Sequence, residues 1–254
     1  RITDRPEIRV SPASIDVADM AALRDDRVTR LLSTREATIT GNRRLIVGID
    51  RLDYTKGVVE RFDAFDLAFR RGWLEPDDVR IVQVAQPTRQ RHAEYRDLRV
   101  RAERAAHALR VRWRRSDGSS PFNIEFESAD RRRVAALLSL ADIAVVTPHR
   151  DGMNLVAKEF SILNEERQGV LVLGQGAGAW HELGPGSISV SSATPEAVAD
   201  GLLRALHLPA AERARMARRR ADAVRSWTST DWAAAFVGPQ GGVSGPSTTA
   251  IAPP

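Results

Sequence analysis

The sequence predicts an α/β protein built on a parallel β-sheet with helices on both faces. Three observations carry that reading. Short continuous apolar runs recur at 45–49 (LIVGI), 81–85 (IVQVA), 143–146 (IAVV) and 170–173 (VLVL). Runs without alternation are what strands covered on both faces look like. Stretches with helical apolar spacing separate these runs, and each run exits into a loop of polar, Gly or Pro residues. Strand–helix alternation of this kind requires parallel pairing through right-handed crossovers.

Residues 1–43 form a lead-in segment. EIRV at 7–10 reads as a short strand. A helix follows over 17–32, with Ala21, Leu23, Val28 and Leu32 at its apolar positions, and the polar stretch 33–42 reads as loop. The main domain is expected over 44–237. Its first strand, 45–49, leads through DRLDYTKG (50–57) into a helix from Val58. There Val58, Phe62, Phe65 and Phe69 share one face. Strand 81–85 ends in QPTR (86–89), and a long helix runs from about 90 to 111. A strand over 122–126 and a helix over 131–140 come next. Strand 143–146 leaves through TPHRDG (147–152) into a helix for which Asn154 is a suitable N-cap. Strand 170–173 exits through GQGAG (174–178), a tight turn that lets backbone approach a ligand. A last strand over 188–190 and helices over 195–206, 210–225 and 229–236 close the domain. The Gly, Ser, Pro and Thr of 238–254 bury too little apolar surface to order themselves, so a disordered tail is expected.

Composition excludes more than it selects. The hydrophobic share of 43% and charged share of 28% are ordinary for a globular chain of 254 residues. The absence of cysteine removes disulfide and thiolate chemistry. No apolar run approaches the roughly 18 residues that span a bilayer, and no signal peptide is visible, so a cytoplasmic protein without membrane partners is expected. The chain opens on Arg1 rather than Met, within charged sequence, as a fragment or trimmed product does. The net charge of +5 suits nucleic acid or an anionic small substrate. Its arginines between 99 and 115 are interleaved with only Trp113, which favours a solvated helix face over a nucleic-acid surface.

The chemistry concentrates in two loops. The loop after 143–146 stands at the carboxyl end of a strand and opens a helix, the usual ligand position in open α/β sheets. Free N–H groups and the dipole favour an anion there. Asp151 and Glu159 flank such a site across the loop and the first turns of helix. Arg51 and Lys56 put two cations after another strand, closed by Gly57, in a position to clamp a diphosphate. Either arrangement also occurs without function in α/β proteins, and neither assigns an activity alone. His149 and His181 have no metal-ligand spacing.

RDGMNLVAKE (150–159) closely resembles the donor-binding motif of the trehalose-6-phosphate synthases, retaining glycosyltransferases with two Rossmann-like domains. DRLDYTKG resembles a second signature of that family, and Pro87-Thr88-Arg89 a shorter third. The resemblance covers about residues 5–236 and only the carboxyl-terminal half of the family. It implies a Rossmann-like domain, one half of a GT-B fold. The implied donor is UDP-glucose or another nucleotide-glucose, and the implied acceptor is glucose 6-phosphate. Arg51 and Lys56 would hold the diphosphate, and Asp151 would meet the transferred sugar. Backbone from Met153 through Asn154 and Leu155 to Val156 would meet sugar and phosphates. Glu159 would take the ribose hydroxyls, Arg89 the acceptor phosphate, and backbone near Ala129 the base. Lys158 would point away and support the fold. Arg51, Lys56 and Asp151 would carry catalysis by a front-face mechanism, with no protein nucleophile, cofactor or metal. A missing amino-terminal domain is the implied partner, and the face it would cover makes a homo-oligomer an expectation. The sequence departs from the family at Gly174, Gly176 and Trp180 and at residues 161–164. Two other readings stay open: a related enzyme with another acceptor, such as glycerol 3-phosphate, and a non-catalytic nucleotide-sugar-binding remnant.

Overall fold

The computed structural model describes residues 10–191 and 193–237. Its centre is a six-stranded parallel sheet in the order β3-β2-β1-β4-β5-β6, where β1 is Arg44–Arg51, β2 Val79–Gln86, β3 Phe122–Glu125, β4 Ile143–Val146, β5 Val170–Gly174 and β6 Ile188–Val190. All six strands expected in the main domain form. The strands are Val-, Ile- and Leu-rich because both faces are covered, and successive side chains enter opposite layers. Ile46, Ile81, Val145 and Val172 point into one apolar layer, whereas Leu45, Val47, Val82, Ala144 and Leu171 point into the other.

The first layer is closed by α3 (Val58–Arg70), α4 (Ala93–Arg112) and α8 (Pro195–Leu206). Phe62, Phe65 and Phe69 of α3 are buried there at helical spacing, as expected. Trp113, the aromatic of the arginine-rich stretch, stacks on Phe69 at 5.1 Å and donates to Asp66, so it belongs to the core edge. Arg101, Arg104, Arg112 and Arg114 are exposed and Arg99 is bonded to Glu103 at 2.8 Å, a largely solvated face, whereas Arg110 and Arg115 are half buried and donate to backbone carbonyls, Arg110 to Ile124 and Arg115 to Pro76, Val79 and Ser120. The second layer is closed by α1 (Val17–Asp25), α5 (Arg131–Leu140), α6 (Leu155–Leu163) and α9 (Ala210–Arg225), with the short α7 (Trp180–Leu183) beside α9. The last helix of the described residues, α10, spans Ser229–Val237. No helix of the described residues is long and apolar enough to cross a membrane.

The lead-in segment differs from expectation. The single helix expected over 17–32 is two, because Asp26 breaks it. Its backbone is extended there, and its carboxylate caps α2 (Arg27–Thr40) by accepting from the Val28 and Thr29 N–H groups. The polar stretch 33–42, expected as loop, is mostly α2. Its inward face is polar and therefore carries no apolar period: buried Glu36 and Thr40 meet Arg80 of β2, at 2.6 and 2.9 Å. The long helix begins at Ala93, not near 90, because Arg89 adopts φ 46° and His92 is extended. The strand expected over 7–10 falls outside the described residues except for Val10, which is in no regular element, and the tail 238–254 lies wholly outside them.

Arg220 on α9 is a buried cation of the second layer. It is 1% exposed and has no carboxylate partner among the described residues. It donates to the Gly186 and Gly169 carbonyls at 2.6 and 2.7 Å and lies over the Phe160 ring. Burial pulls its pKa down to about 10, so it stays charged at neutral pH. Replacing it with Met leaves two buried carbonyls unpaired at about 1–3 kcal/mol each. Removing a desolvated charge offsets part of that cost. Urea unfolding of Arg220→Met is expected to show a net loss of about 1–3 kcal/mol. Unchanged stability would mean that water reaches both carbonyls.

Candidate active site

β1 and β4 are neighbours where the strand order reverses: β1 leads outward to β2 and β3, β4 to β5 and β6. Loops leaving the carboxyl ends of such a pair diverge over a crevice. Lys56 stands at the end of a one-turn 3-10 helix, Tyr54–Lys56. Asp53 caps that turn, its Oδ1 accepting from the Thr55 N–H at 3.0 Å and the Thr55 hydroxyl at 2.9 Å. Gly57 follows at φ 65°, where a Cβ would also stand 2.7 Å from the Thr147 carbonyl oxygen. The turn is thereby pressed onto the end of β4. Across the crevice the His149 and Arg150 amides donate to the Thr55 carbonyl, at 2.9 and 3.3 Å.

These contacts bring the Lys56 ammonium onto the Asp151 carboxylate in a salt bridge. The Asn154 amide donates to the same oxygen at 3.0 Å. Asn154 holds φ 77°, a left-handed conformation that Asn tolerates better than most residues, and its Oδ1 caps α6 through the Ala157 N–H. Helix geometry leaves the Leu155 and Val156 N–H groups without intrahelical acceptors. The start of α6 therefore sets donors and positive dipole beside Asp151. Lys56 and Asp151, read from the sequence as separate contacts, share one bond here.

The other expected residues sit around this cluster. Arg51 is exposed at the end of β1, and its side chain makes no hydrogen bond or ion pair among the described residues. Met153 is half buried, and its carbonyl accepts from Ala179 at 2.7 Å. Lys158 points away, as expected: it is fully buried and donates to Glu182 and to the Ala13 carbonyl, both at 2.9 Å. Glu159 is half buried on α6, and burial pushes its carboxyl above the ordinary value of 4.5, with Arg131 pulling against the shift. Ala129 lies in the β3–α5 loop, half buried against the second layer. Arg89 is apart from the cluster, in a pocket of about 290 Å³ with Tyr54, His92, Glu94 and Tyr95. A larger cavity of about 660 Å³ runs from Gly152 and Met153 to Pro12, His181 and Glu182.

The GQGAG turn packs tightly against the loop that carries Asp151. A Cβ on Gly176 would stand 2.5 Å from the Pro148 and His149 carbonyl oxygens, and one on Gly178 2.1 Å from that of Gly152. The close approach seen here is to the neighbouring loop. It is stitched by Asp151 N–H to Gly176 and Gly178 N–H to Asp151, at 2.8 and 2.9 Å.

Sequence reasoning missed the floor of the crevice. Arg61 of α3 is fully buried and donates to Asp50 at 2.7 Å, Gln83 at 2.9 Å, Thr147 at 3.3 Å and the Lys56 carbonyl at 3.4 Å. Burial pushes the Asp50 carboxyl above its ordinary value, and the Arg61 guanidinium opposes it. The signal in the sequence was Gly48, inside an apolar strand. A Cβ there would stand 2.2 Å from the Gln83 oxygen and 2.8 Å from Arg61.

A family model, Glycosyltransferase family 20, matches residues 3–239. The chain belongs to glycosyltransferase family 20. It is 31% identical over 232 residues to an alpha,alpha-trehalose-phosphate synthase [UDP-forming] of Dictyostelium discoideum, covering 91% of this chain and 31% of that protein. It is 33% identical over 228 residues to the Schizosaccharomyces pombe synthase, covering 89% and 44%. Among solved structures, the Burkholderia xenovorans synthase in complex with glucose-6-phosphate superposes with a TM-score of 0.83 at 34% identity, covering 89% of this chain and 49% of that one. An E. coli structure bound with UDP-2-fluoro glucose gives 0.83 at 30% identity, covering 90% and 50%. This family 20 chain thus spans about a third to a half of the proteins it matches, and its sheet corresponds to one half of their GT-B fold.

Glu159 yields a prediction for the family 20 domain. A carboxyl whose pKa is raised by folding stabilises fully below its unfolded pKa and loses that contribution as pH rises through the folded value. Glu159→Gln lacks the penalty of burying the charge. The variant is expected to resist urea better than wild type at pH 7, with the difference closing below about pH 4. A gap independent of pH would show that Glu159 is solvated.

Proposed function

We propose that this chain is the donor-binding half of an alpha,alpha-trehalose-phosphate synthase, transferring glucose with retention from a nucleotide-glucose, UDP-glucose in the first instance, to glucose 6-phosphate. The observation that carries the reading is the Lys56–Asp151–Asn154 cluster at the start of α6, over the crevice between β1 and β4. The glucose-6-phosphate in the B. xenovorans structure and the UDP-2-fluoro glucose in the E. coli structure support the choice of acceptor and donor.

In this reading the diphosphate lies at the start of α6, met by Lys56, Arg51 and first-turn N–H groups. Charge developing on the leaving nucleotide is stabilised by these two cations, of which Lys56 is already oriented by Asp151 before the bond breaks. Asp151, oriented by Lys56 and Asn154, meets the hydroxyls of the transferred sugar. Glu159, half buried without a hydrogen-bond partner among the described residues, accepts from the ribose. Arg89 holds the acceptor phosphate. The leaving phosphate assists deprotonation of the acceptor on the same face, so neither a protein nucleophile nor a metal is invoked.

UDP is expected to bind this chain saturably in calorimetry with EDTA present. Lys56→Ala should cost about 1.5–3 kcal/mol of that binding, as for a hydrogen bond to a charged group. Glu159→Gln should weaken UDP more than pyrophosphate, opposite in sign to its effect on stability. No heat at millimolar UDP with folded protein would sink the donor assignment, and equal losses for both ligands would sink the ribose assignment.

The opposite wall of the cleft lies outside this sequence in this reading. Without it water is not excluded, and the effective molarity that alignment supplies, about 7–11 kcal/mol of barrier, is lost. The 254-residue chain is expected to release UDP from UDP-glucose and glucose 6-phosphate far more slowly than about 1 per second, the low end of ordinary turnover. Turnover at that rate would refute the need for a second domain. Restoration by adding an amino-terminal domain made separately would support it.

A further inference from the structure

The acceptor-side cation and the donor-side turn are joined by one hydroxyl. Tyr95, in the first turn of α4, is buried, with its ring against Tyr54 at 5.8 Å. Its hydroxyl is 3.0 Å from Arg89 Nη1 and 3.0 Å from Asp53 Oδ2. Proton count sets the direction of both bonds. A guanidinium only donates and a carboxylate only accepts. The single phenolic proton must therefore point to Asp53, and the oxygen lone pair must receive Arg89. Burial alone would raise the Asp53 carboxyl. The bonds from the Thr55 N–H, the Thr55 hydroxyl and Tyr95 outweigh it and hold the carboxyl below its ordinary value, so the acceptor role is secure. The other oxygen of Asp53 caps the turn that ends in Lys56.

Arg89 needs such a tether. It is exposed, stands at φ 46° where few non-glycine residues rest, and its hydrogen bond to Tyr95 is its one side-chain bond among the described residues. Its guanidinium also lies 5.7 Å from the centre of the Tyr95 ring. We infer that Tyr95 is a positioning residue: it holds Arg89 oriented over the acceptor-side pocket and ties that orientation, through Asp53, to the turn that carries Lys56. The acceptor part of this rests on the function proposed above; the tether itself does not.

Tyr95→Phe keeps the ring and removes the hydroxyl. Two measurements on the 254-residue chain test the assignment. The first needs no acceptor: nitrogen relaxation of the Arg89 Nε–Hε group should report an ordered side chain in wild type and a mobile one in Tyr95→Phe. The second is a titration of glucose 6-phosphate into UDP-saturated protein, followed by NMR. Tyr95→Phe should weaken glucose 6-phosphate about five- to thirty-fold, as expected for loss of a bond that orients a charged group, and leave UDP within about three-fold. The loss should vanish in an Arg89→Ala background, because Tyr95 acts through Arg89. An equal loss with and without Arg89, or an Arg89 Nε–Hε group no more mobile in Tyr95→Phe, overturns the positioning role. An Arg89→Ala variant that binds glucose 6-phosphate like wild type overturns the acceptor assignment of Arg89. The tether then stands or falls on the relaxation data alone.

Discussion

The crevice depends on one buried cation. Arg61 reaches from α3 under the carboxyl end of the sheet and bonds to Asp50 on β1, Gln83 on β2, Thr147 just past β4 and the carbonyl of Lys56. Those are the three strands whose exit loops carry Lys56, Arg89 and Asp151. A fully buried guanidinium with all these acceptors is expensive to desolvate and becomes tolerable only when its partners stay in place. The same condition makes it a locator: any shift of one strand end against the others leaves a buried charge or carbonyl unpaired. Gly48 belongs to this constraint, since a Cβ there would occupy the space that Gln83 and Arg61 need.

Above that floor the site is assembled from conformations that cost energy by themselves. Arg89 and Asn154 both hold positive φ without being glycine, at roughly 1–3 kcal/mol for each such position. Both are held by bonds to the site, Asn154 by Asp151 and Ala157, Arg89 by Tyr95. Gly176 and Gly178 let the β5–α7 turn press against the loop that carries Asp151. Strain and close packing here serve one end, keeping a carboxylate, an ammonium and a helix start mutually oriented with no ligand present.

Two cavities lie beside these loops. The smaller surrounds Arg89, and the larger runs from the Asp151 loop to the lead-in segment, where Lys158, itself paired with Glu182, donates to the Ala13 carbonyl. Both open at the same end of the sheet. That placement follows from the strand order, which sends consecutive loops outward from the β1–β4 junction.

Much of this was legible in the sequence, and the limit is physical. Strands covered on both faces show as apolar runs, and the phenylalanine stripe of α3 shows as a 3.6-residue period, because each reports a local backbone geometry against a layer. The residues of the crevice were legible as a family motif, and the spacing of Asp151 and Glu159 follows from helix geometry. The sequence alone thus determined the sheet, the helices with an apolar period and the loops that bear charge. What it could not carry were pairings between residues far apart in the chain. Glu36 and Thr40 turn a polar stretch into a helix only because Arg80 waits on β2. Lys56 meets Asp151 only because two strand ends are adjacent, and Arg61, Tyr95 and Arg220 carry no signal until their partners are in place. A buried polar group takes its meaning from what satisfies it, and that partner is chosen by tertiary structure.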